Sequence, residues 1–232
     1  RHTGIGADGW ILVAPAPKGS TEYDGIIRLF NSDGSEPEIS GNGTRCAAAF
    51  LIDTGLGKTD LRIGTGAGVK ALRLLGREGL CFTFEMNMGR PEFAADGLCA
   101  RVELSSGARE VAILNVGNPQ CVLFVDSFED IDWRSLGAEI EGHRRFPQRT
   151  NVSFVRAVDE HTIEVRFFER GAGETMSSGT GSTGAVAAAV LRGVARSPVR
   201  VLTPAGPLEL RFEDEVYLVG PAEIVGGGVF YL

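Results

Sequence analysis

The chain has 232 residues, 43% of them hydrophobic and 23% charged, and 30 acidic against 23 basic residues give it a formal charge of −7. No apolar run approaches the roughly 20 residues a membrane-spanning helix needs, and the spread of acidic residues argues against a phosphate backbone or an anionic membrane as the main partner. The expectation is a soluble protein with a small-molecule ligand, built as one large domain or as two lobes of about 100 to 120 residues each.

From its first residue the chain reads Arg1-His2-Thr3-Gly4, then Ile5-Gly6-Ala7-Asp8-Gly9 and the apolar strand Trp10-Ile11-Leu12-Val13. With neither a starting Met nor a basic-then-apolar leader, this reads as a sequence without a signal peptide that lacks its natural start. A second apolar run at 26–30 passes through a polar, turn-rich loop into an Ala-rich helix predicted at 44–53, with Gly55 near its C-cap. Strands are expected at 69–75, 80–86, 100–104, 110–114, 121–125 and 152–158, punctuated by Gly, Pro, Asp and Asn. A run at 163–168 then leads through another polar loop into a second Ala-rich helix at 182–192, closed by Gly193, with strands following at 199–203, 208–212 and 216–219. The cysteines Cys46, Cys81, Cys99 and Cys121 have no C-x-x-C spacing, so reduced cytoplasmic thiols are expected rather than a zinc site or disulfides.

These elements contain an internal repeat. Residues 28–55 align without gaps on 166–193, at an offset of 138, with nine of 28 pairs identical, among them Ser40/Ser178, Gly41/Gly179 and Gly43/Gly181. The repeat implies an α+β protein of two pseudo-symmetric lobes, each a curled, mostly antiparallel sheet around one central helix. The expected division is 1–110 for the N-terminal lobe and 111–220 for the C-terminal lobe, with a hinge near 106–119. A closing β segment at 221–232 would return to the first lobe. In each copy Ser-Gly-x-Gly precedes the helix. Serine there caps the helix in the bland reading, but helix-start N–H groups without intrahelical partners also attract a carboxylate or phosphate, and two symmetric copies favour the binding reading.

Several motifs resemble the diaminopimelate epimerase family, in its order and at comparable spacing. They are Gly4-Ile5-Gly6-Ala7-Asp8, Phe30-Asn31-Ser32-Asp33-Gly34-Ser35-Glu36, Gly41-Asn42-Gly43-Thr44-Arg45-Cys46, Gly117-Asn118-Pro119, Phe146-Pro147 with Thr150-Asn151-Val152, and Glu169-Arg170-Gly171-Ala172-Gly173-Glu174-Thr175. The resemblance implies cofactor-independent and metal-independent inversion of one α-carbon of LL-diaminopimelate, in a cleft between the lobes. By the same resemblance Asn31, Asn118, Asn151 and Arg170 hold the amino acid, Gly41, Asn42, Gly179 and Thr180 meet carboxylates, and Glu169 lies near the reacting centre. The implied substrate is an amino acid with two carboxylates, and a homodimer is compatible with the sequence.

Ser40 and Ser178 stand where the family carries its two catalytic cysteines, Gln120 stands where it has a histidine, and Gly9 replaces a polar residue. A thiol ionises near neutral pH at a helix N-terminus, whereas serine needs a partner to take its proton. Three readings remain open: an epimerase or related isomerase running on Ser40 and Ser178, helped by Glu169 or by a residue in the missing N-terminal segment, an amino-acid-binding protein or degenerate isomerase without fast proton transfer, and serines introduced by substitution. Cys46, about one and a half helical turns beyond Ser40, is expected to point into the core.

Overall fold

The computed structural model describes residues 7, 9–17, 19–31 and 33–229. The start of the first glycine motif, Asp8, Ser32 and residues 230–232 of the closing segment lie outside the described residues.

Chain order begins with the antiparallel pair β1 (Gly9–Pro15) and β2 (Gly25–Asn31), after which helix α1 (Gly41–Asp53) crosses over to β3 (Asp60–Thr65), parallel to β2. β4 (Gly68–Glu78) and β5 (Cys81–Gly89) follow as antiparallel neighbours. A middle group comprises β6 (Glu92–Phe93), β7 (Ala100–Leu104), β8 (Gly107–Asn115), β9 (Pro119–Phe124) and helix α2 (Trp133–Glu141). The first pattern then recurs. β10 (Asn151–Asp159) and β11 (Thr162–Glu169) pair antiparallel, the short β12 (Gly173–Thr175) flanks β11, and α3 (Gly179–Leu191) crosses to β13 (Val199–Thr203), parallel to β11. β14 (Gly206–Phe212) and β15 (Val216–Glu223) complete this unit as β4 and β5 complete the first.

The final strands of the two units, β5 and β15, pair antiparallel, from Asn87↔Tyr217 to Cys81↔Glu223. All the strands of the described residues thereby join one mixed 15-stranded sheet. Residues 221–223 of the expected closing segment belong to this ladder. The division expected at 110 falls inside β8, and β6 and β7, which precede it in sequence, both pair with β8.

Each unit buries its helix. In α3 every residue from Gly179 to Ala189 is buried, and the small side chains at Ala185 and Ala187–Ala189 let the surrounding strands approach on all sides. α1 is buried around most of its circumference, through Thr44, Arg45, Ala47, Ala48, Ala49 and Leu51, and open along one stripe. Both helices begin three residues earlier than the sequence suggests, because Ser40 and Ser178 are the N-caps and accept from the Gly43 and Gly181 amides at 3.1 and 3.0 Å. Both end alike as well: Gly55 (φ 74°) and Gly193 (φ 70°) adopt the left-handed conformation after the last turn.

Cys46 departs from expectation. It is exposed rather than in the core, because Asn42, Cys46 and Phe50, at i and i+4 spacing, form the stripe of α1 turned away from the sheet. A second hydrophobic cluster, with Val111, Trp133, Ile140 and Phe154, packs α2 on the opposite side of the sheet from α3.

Candidate active site

The helix starts meet. A Cβ built on Gly41 would lie 3.0 Å from the Gly179 Cα, and one on Gly179 would lie 2.9 Å from the Gly41 Cα. Only glycine on both sides permits this approach, which sets the N-terminal ends of α1 and α3 side by side with their orphan N–H groups at a common place. Above them lies a cleft of about 450 Å³. Ser40, Gly41 and Asn42 line it from the first unit, and Ser178, Gly179 and Thr180 from the second. Asn31, Asn118, Asn151, Glu169 and Arg170 line it too, so every residue to which the sequence gave a catalytic or binding role lines one cavity. Gly9 is also part of the wall.

The two serines are not equivalent. Ser178 is buried, and its hydroxyl donates to Glu169 Oε1 in a short hydrogen bond. The other oxygen of that carboxylate accepts from Thr175 Oγ1 at 3.0 Å. The Ser40 hydroxyl, half-buried, has the Gly43 amide as its sole hydrogen-bond partner among the described residues. Thr175, which the sequence offered only as the last letter of a motif, therefore helps hold the candidate base.

The asparagines are committed within the protein. Asn151 donates to the Pro119 carbonyl at 3.0 Å and accepts from the Arg170 amide at 3.0 Å, bracing the Gly-Asn-Pro loop against the Glu-Arg-Gly loop. Asn118 donates to Thr180 Oγ1 at 3.4 Å and accepts from Gln120 Nε2 at 2.7 Å. Asn31 donates to Ser35 Oγ at 3.0 Å, and Asn42 to the Ser177 carbonyl at 3.2 Å. Gln120 is fully buried behind Asn118. Arg170 carries an ion pair to Glu38, a tie between the two units that the sequence did not disclose.

Cys46 borders the cleft from α1. Partial burial of its thiol pushes its pKa up, with the positive charge of Arg45 pulling the other way. Among the described residues no group of three or more His, Cys, Asp or Glu is arranged to hold a metal ion, and no helix is long and apolar enough to cross a membrane.

Comparison with known proteins agrees over nearly the whole chain. The family model for diaminopimelate epimerase matches residues 1–94 and 112–225. A diaminopimelate epimerase of Pelotomaculum thermopropionicum is 39% identical, covering 99% of this chain and 85% of its own. Diaminopimelate epimerase 1 of a Nostoc species is 40% identical, covering 98% and 86%. Among solved structures, a hydroxyproline epimerase from Agrobacterium vitis superposes with a TM-score of 0.74 at 15% identity, over 92% of this chain and 73% of that one. A predicted epimerase from Pseudomonas aeruginosa gives 0.67 at 18%, over 95% and 85%. At these identities the solved structures establish the fold alone.

Proposed function

The chain belongs to the diaminopimelate epimerase family, and on that premise we propose that its cleft binds LL-diaminopimelate and inverts one α-carbon to give the meso form. The observation that carries this reading is the pairing of Ser40 and Ser178, each beside one of two abutting helix starts and both lining one cavity. Inversion needs an acid and a base on opposite faces of one carbon, and pseudo-symmetric helix starts supply two such positions. The orphan N–H groups beside them suit the carboxylate of the reacting centre.

On the Ser178 face the α-proton passes to the serine oxygen while the serine proton passes to Glu169, so Glu169 ends protonated and the electron pair is delocalised into the substrate carboxylate. On the other face the Ser40 hydroxyl delivers a proton to the carbon and recovers one from water, and Glu169 gives up its proton to the hydroxide so formed, which closes the cycle. Arg170 takes a carboxylate, and Asn31, Asn42, Asn118, Asn151 and Thr180 shape the cavity. Neither cofactor nor metal enters these steps. The two faces are served unequally, because Ser178 has a carboxylate to accept its proton and, among the described residues, Ser40 does not.

That inequality favours a second reading, an amino-acid-binding protein or degenerate isomerase without fast proton transfer. Solvent deuterium uptake at the α-carbon of diaminopimelate, followed beside calorimetric binding, separates the two. Uptake with inversion supports the epimerase, and binding without uptake supports the second reading. We further infer two lobes, their division moved from residue 110 to the stretch between β5 and β6 because β6 and β7 pair with β8, and a cytoplasmic location, supported by the free thiols of Cys46, Cys81, Cys99 and Cys121. A homodimer is tested by mass measurement in solution.

A further inference from the structure

Arg45 lies in the second turn of α1, and only 3% of it is exposed. Among the described residues it forms no ion pair. Its Nε donates to the Pro221 carbonyl of β15 at 3.1 Å, its Nη2 donates to Asn42 Oδ1 at 2.8 Å, and its Nη1 has no hydrogen-bond partner among the described residues. Burial of the charge pushes its pKa down to about 10. A buried, unpaired guanidinium is a costly thing to keep, and an unsatisfied buried donor calls for a reason.

The fold itself does not demand it. The equivalent position in the second unit, 138 residues on, is Thr183, whose hydroxyl closes the same helical turn onto the Gly179 carbonyl at 2.8 Å with no charge. Yet the protein makes room for the guanidinium: a Cβ at Gly220 would stand 3.2 Å from Arg45 Cζ and 3.3 Å from Nε. What the guanidinium touches is the wall of the cleft. Because arginine only donates, the Asn42 carboxamide must turn its oxygen toward Arg45, and its NH₂ is thereby aimed at the Ser177 carbonyl, one residue before the N-cap Ser178.

We propose that Arg45 is a positioning residue for proton transfer in this cleft: it locks Asn42 against Ser177, holding the two helix starts in register, and sets one buried positive charge behind them where negative charge develops on the substrate carboxylate. Loss of the α-proton takes that carboxylate from one negative charge toward two, and a fixed cation in a water-poor interior favours the second charge more than the first. This rests on the reading of the cleft as an amino-acid epimerisation site.

Arg45→Met, of similar volume, and Arg45→Lys, which keeps the charge without the fork, test it in the whole chain, with deuterium uptake into diaminopimelate, calorimetry and thermal unfolding as readouts. In Arg45→Met the unfolding midpoint is expected to hold or rise, since an unpaired charge has left the interior. Its kcat for uptake should fall about tenfold or more, with a smaller rise in KM, and Arg45→Lys should recover part of the lost kcat. An Arg45→Met protein that unfolds earlier but, molecule for molecule, exchanges like the wild type overturns the proposal, as does an Arg45→Lys protein no faster than Arg45→Met. Should the methionine variant be insoluble, Asn42→Asp cancels the charge in place; the same fall in kcat supports the proposal, and an unchanged kcat overturns it. A wild-type chain that neither binds nor exchanges diaminopimelate overturns the epimerase reading and this proposal with it, whereas an active wild type matched by Arg45→Met overturns this proposal alone.

Discussion

Gly41 and Gly179, 138 positions apart in equivalent places of the repeat, lie backbone against backbone, with 2.9 Å between the Gly41 Cα and the position a Cβ on Gly179 would take. Neither neighbour is a flexible side-chain end, so nothing there can swing aside.

Gly179→Ala, or Gly41→Ala, should therefore cost about 1 to 3 kcal/mol of stability, as overpacking in a closed interior does. It should also part the helix starts, so that binding of diaminopimelate drops further than stability does. Urea denaturation beside calorimetry checks both. An alanine variant with native stability and native affinity would mean that the contact is looser than described.

Glu169→Gln should slow deuterium uptake at the α-carbon by about 10²- to 10⁴-fold, the usual range for a general base, because Ser178 would lose the group that accepts its proton. In the opposite direction, replacing Ser40 and Ser178 together by Cys should raise epimerisation by about 10²-fold or more, since a thiol ionises far closer to working pH than a hydroxyl. One cysteine alone should gain little. A double variant that binds diaminopimelate yet runs no faster would point to Gln120 and Gly9 as the seat of the difference.

Cys46 and Cys121 should separate cleanly under alkylation of the native protein. Burial holds the Cys121 thiol up at about 12, so it should stay unlabelled until the chain unfolds. Cys46, on the exposed stripe of α1, should label slowly, and diaminopimelate should slow it further because the residue borders the cleft. Peptide mass mapping reads both. Labelling of Cys46 indifferent to ligand would remove it from the edge of the binding site.

Glu164 should contribute to acid sensitivity. Burial pushes its carboxyl up, but the hydrogen bonds from Arg156 and Arg166 and the attraction of both guanidinium groups outweigh this, and it lies below the usual range. A carboxyl depressed in the folded state stabilises the protein above its unfolded pKa, and that stabilisation is lost as pH falls through the folded one. Glu164→Gln should thus be less stable at neutral pH and lose less between about pH 5 and pH 3. Denaturation midpoints across that interval decide it, and parallel curves for the two proteins would count against it.

The repeat made the two central helices and the serine-glycine starts legible, because identical residues at a fixed offset have to serve the same local geometry. Most strands after residue 68 were legible for a simpler reason: alternation of apolar and polar residues gives their period directly. β3 escaped because its run, Asp60-Leu61-Arg62-Ile63-Gly64-Thr65, mixes charge and glycine, and it is held by a parallel partner distant in sequence. α2 escaped because its nine residues carry a glycine and rest on a buried stripe of Trp133, Leu136 and Ile140 too short to stand out. At the site, residue identities were legible but their commitments were not. That Asn118, Asn151 and Asn42 spend their hydrogen bonds on the protein, and that of the adjacent Arg45 and Cys46 the charged one is buried and the thiol exposed, depends on tertiary partners no local pattern reveals.

The ladder between β5 and β15 sets the order in which this molecule can be assembled. A chain synthesised from its N-terminus completes β5 long before β15 exists, and until β15 arrives both β5 and β14 present an unpaired strand edge. Contacts of such sequence separation form slowly, and open edges in that interval invite pairing with other chains. The yield of soluble protein should therefore be governed less by the cleft or the helices than by the eight residues of Val216–Glu223, the last of the described strands and the one that joins both halves.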